Sequence, residues 1–285
     1  MKTEIINGLD PTSIERAVAA LNKGDVVAFP TETVYGLGAD ATNSVSVARV
    51  FEIKKRPRFD PLIIHIGRKE WLPSFTKAFP SEAQKLVDRF WPGPLTIILE
   101  KQPVIPDIVT AGLRTVAVRM PSHPVALNLI NALGKPIAAP SANPFGYMSP
   151  TRARHVARMF EGKLPFVLDG GACAFGLEST IVSIRNGRLL IHRHGAISEE
   201  ELVDVTGAAL GNRKDGPMDA PGQLPFHYAP HKPLVIIKGL EEIKVAASSL
   251  LAFRAPAAAP PSRYVKVLSP AGDFSEAAAN FFRIL

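Results

Sequence analysis

Short apolar runs alternate with amphipathic helical patterns along the first 211 residues, and this order strongly restricts the possible folds. Asn186-Gly187 lies between two of the apolar runs and is a strong signal for a hairpin. Strand patterns occur at 26–30, 62–66, 95–100, 115–120, 137–139, 166–168, 180–185 and 188–193. Because hairpin-linked and helix-linked strands occur together, the sequence predicts an α/β fold with a twisted, mixed, open sheet rather than a purely parallel one.

Capping and stop signals delimit the predicted helices. Residues 12–15 (TSIE) match a capping box, and Gly24 predicts the end of the helix that begins there. A second helix is predicted to begin at Ser44 and to end before Pro57, and residues 31–43 in front of it are predicted to form a loop. Further helices are predicted at 81–90, 124–133 and 151–160.

Composition changes after residue 211 and predicts three parts of the chain. Residues 1–211 are predicted to form one large domain, and 212–233, with five prolines, to form a linker. Residues 234–285 are predicted to form a small α/β domain: a strand at 234–238, a helical stretch, a strand at 264–268 and a final helix. The sequence stops inside that helical pattern, so we expect this small domain to be truncated.

Charge and cysteine content exclude several classes of protein. Cys173 is the single cysteine, which rules out an internal disulfide and a thiolate-rich metal site and favours the cytoplasm. Acidic residues near the N-terminus argue against a signal peptide, and no apolar run approaches the roughly 18 residues of a membrane span. The net charge of +7 favours an anionic partner such as a nucleotide, a phosphate or a nucleic acid.

Five segments are candidates for a functional site, each with a plain structural alternative. Residues 30–40 (PTETVYGLGAD) carry hydroxyls and glycines after a buried strand, where α/β proteins bind ligands, but an ordinary turn has the same composition. Residues 54–58 (KKRPR) suit phosphates or form a solvated charge run. Residues 140–150 (PSANPFGYMSP) and 177–180 (LEST) place small polar groups at strand ends, as turns also do. Residues 115–120 (TVAVRM) carry a cation inside an apolar strand pattern.

Two polar residues interrupt apolar strand patterns. His65 lies in the run LIIHI, where a lone histidine is more often a satisfied core residue than a ligand. Arg119 lies in TVAVRM, and a buried guanidinium needs either an internal ion pair or the carboxylate of a ligand.

Several catalytic motifs do not occur in the sequence. It contains no GxxxxGK[ST] phosphate loop, no GxGxxG after a strand, no HExxH and no GxSxG. A catalytic metal held by the protein and a covalent serine hydrolase are therefore not expected. The remaining polar loops and fixed cations suit a site that positions and stabilises an anionic substrate, with any Mg²⁺ brought in on phosphates.

The motifs form one ordered series that resembles a known family. The series runs PTETVYGLGAD, KKRPRFDPLIIHI, FWPGPLTIIL, VAVRMPSHP, PIAAPSANPFGYMSPT, LDGG, ESTIVS and HYAP across residues 30–230. It resembles the YrdC-like family in its long, two-domain form, the threonylcarbamoyl-AMP synthases. The resemblance implies a twisted α/β sheet with a positively charged cavity, a linker that folds over it, and a small Rossmann-like C-terminal domain.

The resemblance also implies an activity and its partners. Such nucleotidyltransferases join L-threonine, bicarbonate and ATP, with Mg²⁺, into threonylcarbamoyl-AMP and pyrophosphate in the cytoplasm. Threonylcarbamoyltransferase proteins then modify adenosine 37 of tRNA. Direct tRNA binding is allowed by the charge, although no RNA-recognition motif is present. No general base is evident in the motifs, so we expect bicarbonate or solvent to deprotonate the amine.

Site residues follow from the resemblance by position. The catalytic residues that hold phosphates and nucleotide fall on Lys54, Arg56, Ser141 and Asn143. Further ATP contacts fall on Asp60, Thr115, Ser149, Arg193 and, in the linker, His227 or Tyr228. The threonine-binding positions fall on Thr33, His65, Arg119 and Ser179. Asp60 stands where the family often has Asn, and beside ATP it would repel phosphates unless it meets Mg²⁺ or Lys54.

Two other functions remain open from the residues. The first is a carbamoyltransferase that works through carbamoyl-adenylate, although the chain has no room for the further modules such enzymes carry. The second is a non-catalytic module whose basic surface binds structured RNA.

Overall fold

Most of the predicted strands form a single mixed sheet in the computed structural model. The structure describes residues 2–77, 79–211, 230, 232–238, 240–243, 249–257, 260, 262 and 264–285. The strands of the sheet are β1 (Glu4–Asn7), β2 (Val27–Phe29), β3 (Gly36–Asp40), β4 (Ile63–His65), β5 (Leu95–Glu100), β6 (Thr115–Arg119), β7 (Ile137–Ala138), β8 (Phe166–Asp169), β9 (Thr180–Arg185) and β10 (Arg188–Arg193). Their order is β1-β8-β2-β3-β7-β4-β6-β5-β9-β10.

Helices cover both faces of this sheet, and an apolar core lies against each face. They are α1 (Pro11–Asn22), α2 (Ser44–Lys54), α3 (Leu72–Phe75), α4 (Ser81–Phe90), α5 (Asp107–Thr110), α6 (Pro124–Leu133), α7 (Ala153–Met159) and α8 (Glu199–Thr206). Strand pairs β1/β8, β4/β6 and β5/β9 are parallel, whereas β5/β6 and the β9/β10 hairpin are antiparallel. The prediction of a mixed α/β sheet is therefore confirmed.

The start of α1 differs from the prediction. Asp10, not Thr12, is the N-cap, because its carboxylate accepts a hydrogen bond from the Thr12 backbone N–H at 3.0 Å. Pro11 occupies the first helical position, where the missing N–H has no consequence. The predicted end at Gly24 is confirmed, since Lys23 is the C-cap and Gly24 has a φ of 84°.

The predicted loop at 31–43 contains a strand. β3 occupies Gly36–Asp40, is fully buried, and pairs antiparallel with both β2 and β7. Two glycines in five residues weaken the β-pattern in the sequence, but at Gly38 the side chains of Ile137 and Phe29 leave no space for a Cβ. β3 brings the polar segment in front of it into the middle of the sheet.

The C-terminal part departs from the prediction in its first half. The predicted strand at 234–238 is wrong: residues 233–237 have no regular structure, and Ile236 is 91% exposed. β11 (Ser249–Ala252) forms where a helical stretch was predicted and pairs parallel with β12 (Tyr264–Val267). The final helix, α9 (Phe274–Ile284), is confirmed, and a small C-terminal sheet separate from the large one is present.

The linker lies largely outside the described part of the chain. Its candidate residues, His227 and Tyr228, are outside the described residues. None of the helices in the described ranges has the length and apolar character needed to span a bilayer.

Candidate active site

A polar cleft opens at the centre of the large sheet. Strands β3, β4, β6 and β10 meet at this cleft, together with the segments that follow β2 and β7 and the segment that precedes β9. The volume of the cleft is about 470 Å³ when its open mouth is included. The lining residues are Thr31, Thr33, Val34, Tyr35, Gly36, Arg56, Ile63, His65, Arg119, Ala139, Pro140, Ser141, Glu178, Ser179 and Arg193. The structure thus brings together candidates from five separate sequence motifs.

Arg119 at the end of β6 is 3% exposed and is held by three neighbours. Its Nε donates to the Gly93 carbonyl at 3.2 Å, its Nη1 to Thr33 Oγ1 at 2.9 Å, and its Nη2 to Glu32 Oε1 at 2.6 Å. Glu32 Oε2 also accepts from the Ser122 backbone N–H at 3.0 Å. The ion-pair alternative for this arginine is therefore confirmed. Two of its five guanidinium N–H groups lie outside these three bonds, and a contact with the carboxylate of a ligand stays a prediction.

Glu32 is a functional neighbour that the sequence reasoning missed. It lies between the two threonines of PTET, both buried, with Thr31 Oγ1 and Thr33 Oγ1 2.8 Å apart. The available signal was the acid itself, since a carboxylate in a buried polar segment needs a cationic partner and Arg119 is on a buried strand.

His65 lines the cleft on β4, next to β6. It is 4% exposed, and its Nδ1 is buried without a hydrogen-bond partner among the described residues. Burial, together with the nearby Arg119 charge, lowers the pKa of His65 to about 3. The ring is therefore neutral at physiological pH, and its Nδ1 makes no hydrogen bond to the described residues.

Lys54, the last residue of α2, is 1% exposed and lies beneath the loop that carries Ser141 and Asn143. Its Nζ donates to the carbonyl oxygens of both residues, and its own carbonyl accepts from the Phe145 N–H at 2.9 Å. Burial, and next the Arg56 charge, lowers the pKa of Lys54 well below its usual value. Lys54 therefore organises this loop from inside the protein.

Asp60 forms an ion pair with Arg56. Its Oδ2 lies 2.8 Å from Arg56 Nη2, and both side chains are buried. Arg56 also donates to the carbonyl oxygens of Asp60 and Pro61, which fixes its position in the cleft wall. Asp60 itself is not a lining residue, and burial raises the pKa of its carboxyl despite the attraction of Arg56.

Ser179 and Arg193 meet beside a second carboxylate that the sequence reasoning missed. Arg193 Nε donates to the Ser179 carbonyl and Nη2 to Ser179 Oγ, each at 2.9 Å, and Nη1 pairs with Glu178. Glu178 Oε1 accepts from Ser149 Oγ at 2.8 Å. Glu178 directly precedes Ser179 in LEST, but nothing in that motif indicates that its partners are 15 and 29 residues away.

Five predicted site residues in the described part of the chain do not line the cleft: Lys54, Asp60, Thr115, Asn143 and Ser149. Ser149 and Asn143 are each 1% exposed just behind its wall, and Asn143 Oδ1 is buried without a hydrogen-bond partner among the described residues. Thr115 lies at the far end of β6, roughly 13 Å along the strand from Arg119 at 3.3 Å per residue. It faces the same side of the sheet as Arg119, since side chains alternate along a strand.

The chemistry of the cleft is that of anion binding by fixed groups. In the described part of the chain no group of three His, Cys, Asp or Glu side chains is arranged to hold a metal ion. Cys173 is buried, and burial raises the pKa of its thiol to about 12. The fold and the cleft together define an α/β protein with a central cleft whose arginine, histidine and hydroxyl groups suit small anionic ligands.

Two family models cover most of the chain. The model described as Telomere recombination, for the Sua5, YciO and YrdC proteins, matches residues 19–195. The model described as Threonylcarbamoyl-AMP synthase, C-terminal domain, matches residues 197–285. This second match includes α8, which packs on the large domain, where Lys85 Nζ donates to the Thr206 carbonyl at 3.3 Å.

Curated relatives and a solved structure agree with these matches. The threonylcarbamoyl-AMP synthase of Pyrococcus abyssi is 45% identical over 237 residues, which are 81% of this chain and 69% of the relative. That of Bacillus subtilis is 45% identical over 246 residues, 84% of this chain and 70% of the relative. The structure of P. abyssi Sua5 complexed with L-threonine has a TM-score of 0.83 at 36% identity, covering 99% of this chain and 87% of that one.

The chain belongs to the threonylcarbamoyl-AMP synthase family in its long form with a C-terminal domain. It is an enzyme of the nucleotidyltransferase kind. The resemblance drawn from the ordered motifs is confirmed.

Proposed function

We propose that this enzyme joins L-threonine, bicarbonate and ATP into threonylcarbamoyl-AMP and pyrophosphate. The observation that carries the proposal is the pairing of two cationic regions in one cleft. Arg119 and neutral His65 form one group of interacting residues, and Arg56 and Arg193 form another together with Asp60 and Glu178. One region suits an amino-acid carboxylate and the other suits phosphates.

L-threonine would bind beside Arg119. The two guanidinium N–H groups outside the protein bonds can hold its carboxylate, in a wall that excludes water. Thr33 and Ser179 supply hydroxyls, and the unpartnered Nδ1 of His65 supplies a neutral group for the threonine hydroxyl or amine. The bound L-threonine in P. abyssi Sua5 supports this assignment.

ATP would bind on the side of Arg56, Ser141 and Arg193. Lys54 holds the loop of Ser141 and Asn143 through their carbonyl groups, so the lysine acts on the nucleotide chiefly through that loop. Mg²⁺ arriving on the phosphates would neutralise part of their charge. The remaining proposed ATP contacts are Asp60 through Arg56, Thr115, Asn143, Ser149, and His227 or Tyr228 in the linker.

The reaction needs two bond-forming steps. The threonine ammonium group first gives one proton to bicarbonate or solvent. The free amine then attacks either bicarbonate, with loss of one water, or carbon dioxide, with loss of one proton to solvent, and a carbamate forms. A carbamate oxygen then attacks the α-phosphorus of ATP, and the bond to the bridging oxygen breaks as pyrophosphate leaves. Negative charge grows on the phosphates, where Arg56 and Arg193 would stabilise it.

The product would be used outside this chain. A threonylcarbamoyl-adenylate is an activated mixed anhydride, so we propose that threonylcarbamoyltransferase proteins in the cytoplasm transfer its acyl group to adenosine 37 of tRNA. Direct tRNA contact by this chain is a further proposal, supported by its net charge of +7.

The test is pyrophosphate release from ATP, with and without L-threonine and bicarbonate. We expect release to require both, with serine and glycine much poorer. In the Arg119→Ala variant, the stimulation of pyrophosphate release by L-threonine should be lost. Release without any need for threonine would overturn the proposal in favour of carbamoyl-adenylate chemistry.

A further inference from the structure

Glu178 occupies an unusual position in the cleft. Of the described residues that line it, Glu178 alone carries a carboxylate, and its side chain is only 9% exposed. A buried acid on the side proposed for ATP would repel phosphates, so its presence there calls for a role.

The contacts of Glu178 connect the two proposed subsites. One oxygen accepts from Ser149, a proposed ATP contact, and the other pairs with Arg193. Arg193 in turn donates to both the carbonyl and the hydroxyl of Ser179, a proposed threonine contact. A continuous set of protein hydrogen bonds therefore runs from Ser149 through Glu178 and Arg193 to Ser179.

The ion pair between Glu178 and Arg193 also fixes the orientation of the Arg193 guanidinium. Three of the five N–H groups of Arg193 are used in these bonds, and one remains on each of Nη1 and Nη2. A planar guanidinium held at three points can present the other two donors in a single orientation. Without the charge of Glu178, Arg193 could rotate away from Ser179.

We propose that Glu178 is a positioning residue that couples the ATP and threonine subsites by holding Arg193 against Ser179. Occupancy of one subsite then orders the groups that the other substrate meets, so each substrate tightens the binding of the other. The proposal rests on the proposed function for the identity of the two ligands. It gives Glu178 no contact with a reacting atom.

The test measures coupling in the full-length protein by calorimetry. L-threonine is titrated with and without a saturating non-cleavable ATP analogue, α,β-methylene-ATP with Mg²⁺, and the ratio of the two dissociation constants is the coupling factor. We expect a factor of roughly 5 or more in the unaltered protein, within the usual range for coupled sites. Glu178→Gln, which keeps an acceptor for Ser149 but removes the charge opposite Arg193, should bring it close to 1.

Two further variants make the result specific. Glu199→Gln, at an exposed acid in the first turn of α8, is the matched control and should keep the full coupling factor. Ser149→Ala removes the hydrogen bond between Ser149 and Glu178 without leaving an unpaired charge, so it should lower the factor partly. The coupling factor of Ser149→Ala also tests the proposal if Glu178→Gln fails to fold.

Turnover distinguishes positioning from chemistry. With both substrates saturating, Glu178→Gln should keep kcat within about tenfold while the KM of each substrate rises. A collapse of kcat with coupling intact, or a coupling factor equal to that of the unaltered protein, would overturn the proposal. Coupling measured by binding does not need turnover, so a failure of the proposed reaction would be recognised separately, by the absence of threonine-dependent pyrophosphate release.

Discussion

His65 illustrates how burial alone sets the charge of a site residue. The unfolded chain binds a proton at this histidine near pH 6.5, whereas the folded protein binds one only near pH 3. Between pH 3 and pH 6.5 the unfolded state binds more protons at this histidine than the folded state does. The contribution of neutral His65 to stability is therefore fully present above pH 6.5 and is lost as the pH falls toward 3. A neutral imidazole is thus retained at the expense of stability in acid.

The first prediction follows from this linkage. His65 should lower the free energy of unfolding by about 2 kcal/mol between pH 7 and pH 5, from 1.36 kcal/mol per pKa unit. His65→Gln should remove that part of the pH dependence in urea unfolding curves. His194→Gln, at an exposed histidine after β10, should leave it unchanged. An unaltered slope in the His65 variant would contradict the buried, neutral assignment.

Arg119 gives a second prediction at the same scale. Arg119→Lys keeps the charge but loses the fork that bonds Thr33 and Glu32 and that we propose also binds the threonine carboxylate. We expect the KM for threonine to rise at least tenfold, about 1.4 kcal/mol or more, with a smaller change in kcat. Steady-state pyrophosphate release measures both. Arg114→Lys, at an exposed position just before β6, is the control; an equal effect there would remove the special role of Arg119.

Sequence reasoning reaches some of these residues and not others. Arg119 can be recognised because a charge in an apolar strand pattern demands a partner. The pairing of Asp60 with Arg56 could also be suspected, since the two are four residues apart. The contacts of Glu178 could not, because Ser149 and Arg193 reach it only after β9 and β10 have joined the sheet.

At the scale of elements, β3 explains why the cleft lies at the sheet centre. It is buried on both faces between β2 and β7, and the polar segment 31–35 enters the cleft from its first residue. Helices such as α4 and α6 could be predicted to the residue from their apolar spacing. β3 could not be predicted, because a residue that excludes a side chain at Gly38, Ile137, is distant in sequence.

Gly38 gives the third prediction. A Cβ at this position would lie 2.4 Å from Ile137 Cγ2 and 2.7 Å from Phe29 Cε1. Gly38→Ala should therefore destabilise the protein by about 1–3 kcal/mol through overpacking, measured by urea unfolding. Gly36→Ala, two residues earlier, meets Ala139 and Phe29 no closer than 3.4 Å and should cost less. Equal losses in the two variants would contradict the assignment of the cost to the close contacts of Gly38 with Ile137 and Phe29.

At the scale of the whole molecule, the C-terminal helix lies against the loop that leads into the cleft. Gly176, two residues before Glu178, is the point of close approach to α9. A Cβ on Gly176 would lie 2.5 Å from the Ala279 carbonyl oxygen and 2.6 Å from its Cα. These are backbone atoms of a helix, so they cannot rotate aside as a side chain could. α9 was predictable from its amphipathic pattern, but this docking was not, since it joins positions about a hundred residues apart.

The fourth prediction tests whether this contact holds the C-terminal part in place. Gly176→Ala should displace α9, increase hydrogen exchange of the amides at 274–285 by about tenfold or more, and raise the KM for threonine through the neighbouring Ser179. Gly171→Ala is the matched control: Gly171 has a φ of 87° against 65° for Gly176, but nothing lies within 4 Å of its Cβ position. Both variants carry the backbone strain of a left-handed residue, about 1–2 kcal/mol, and only one carries the clash. Faster exchange confined to Gly176→Ala would assign the docking to this contact, because strain alone would affect both variants equally.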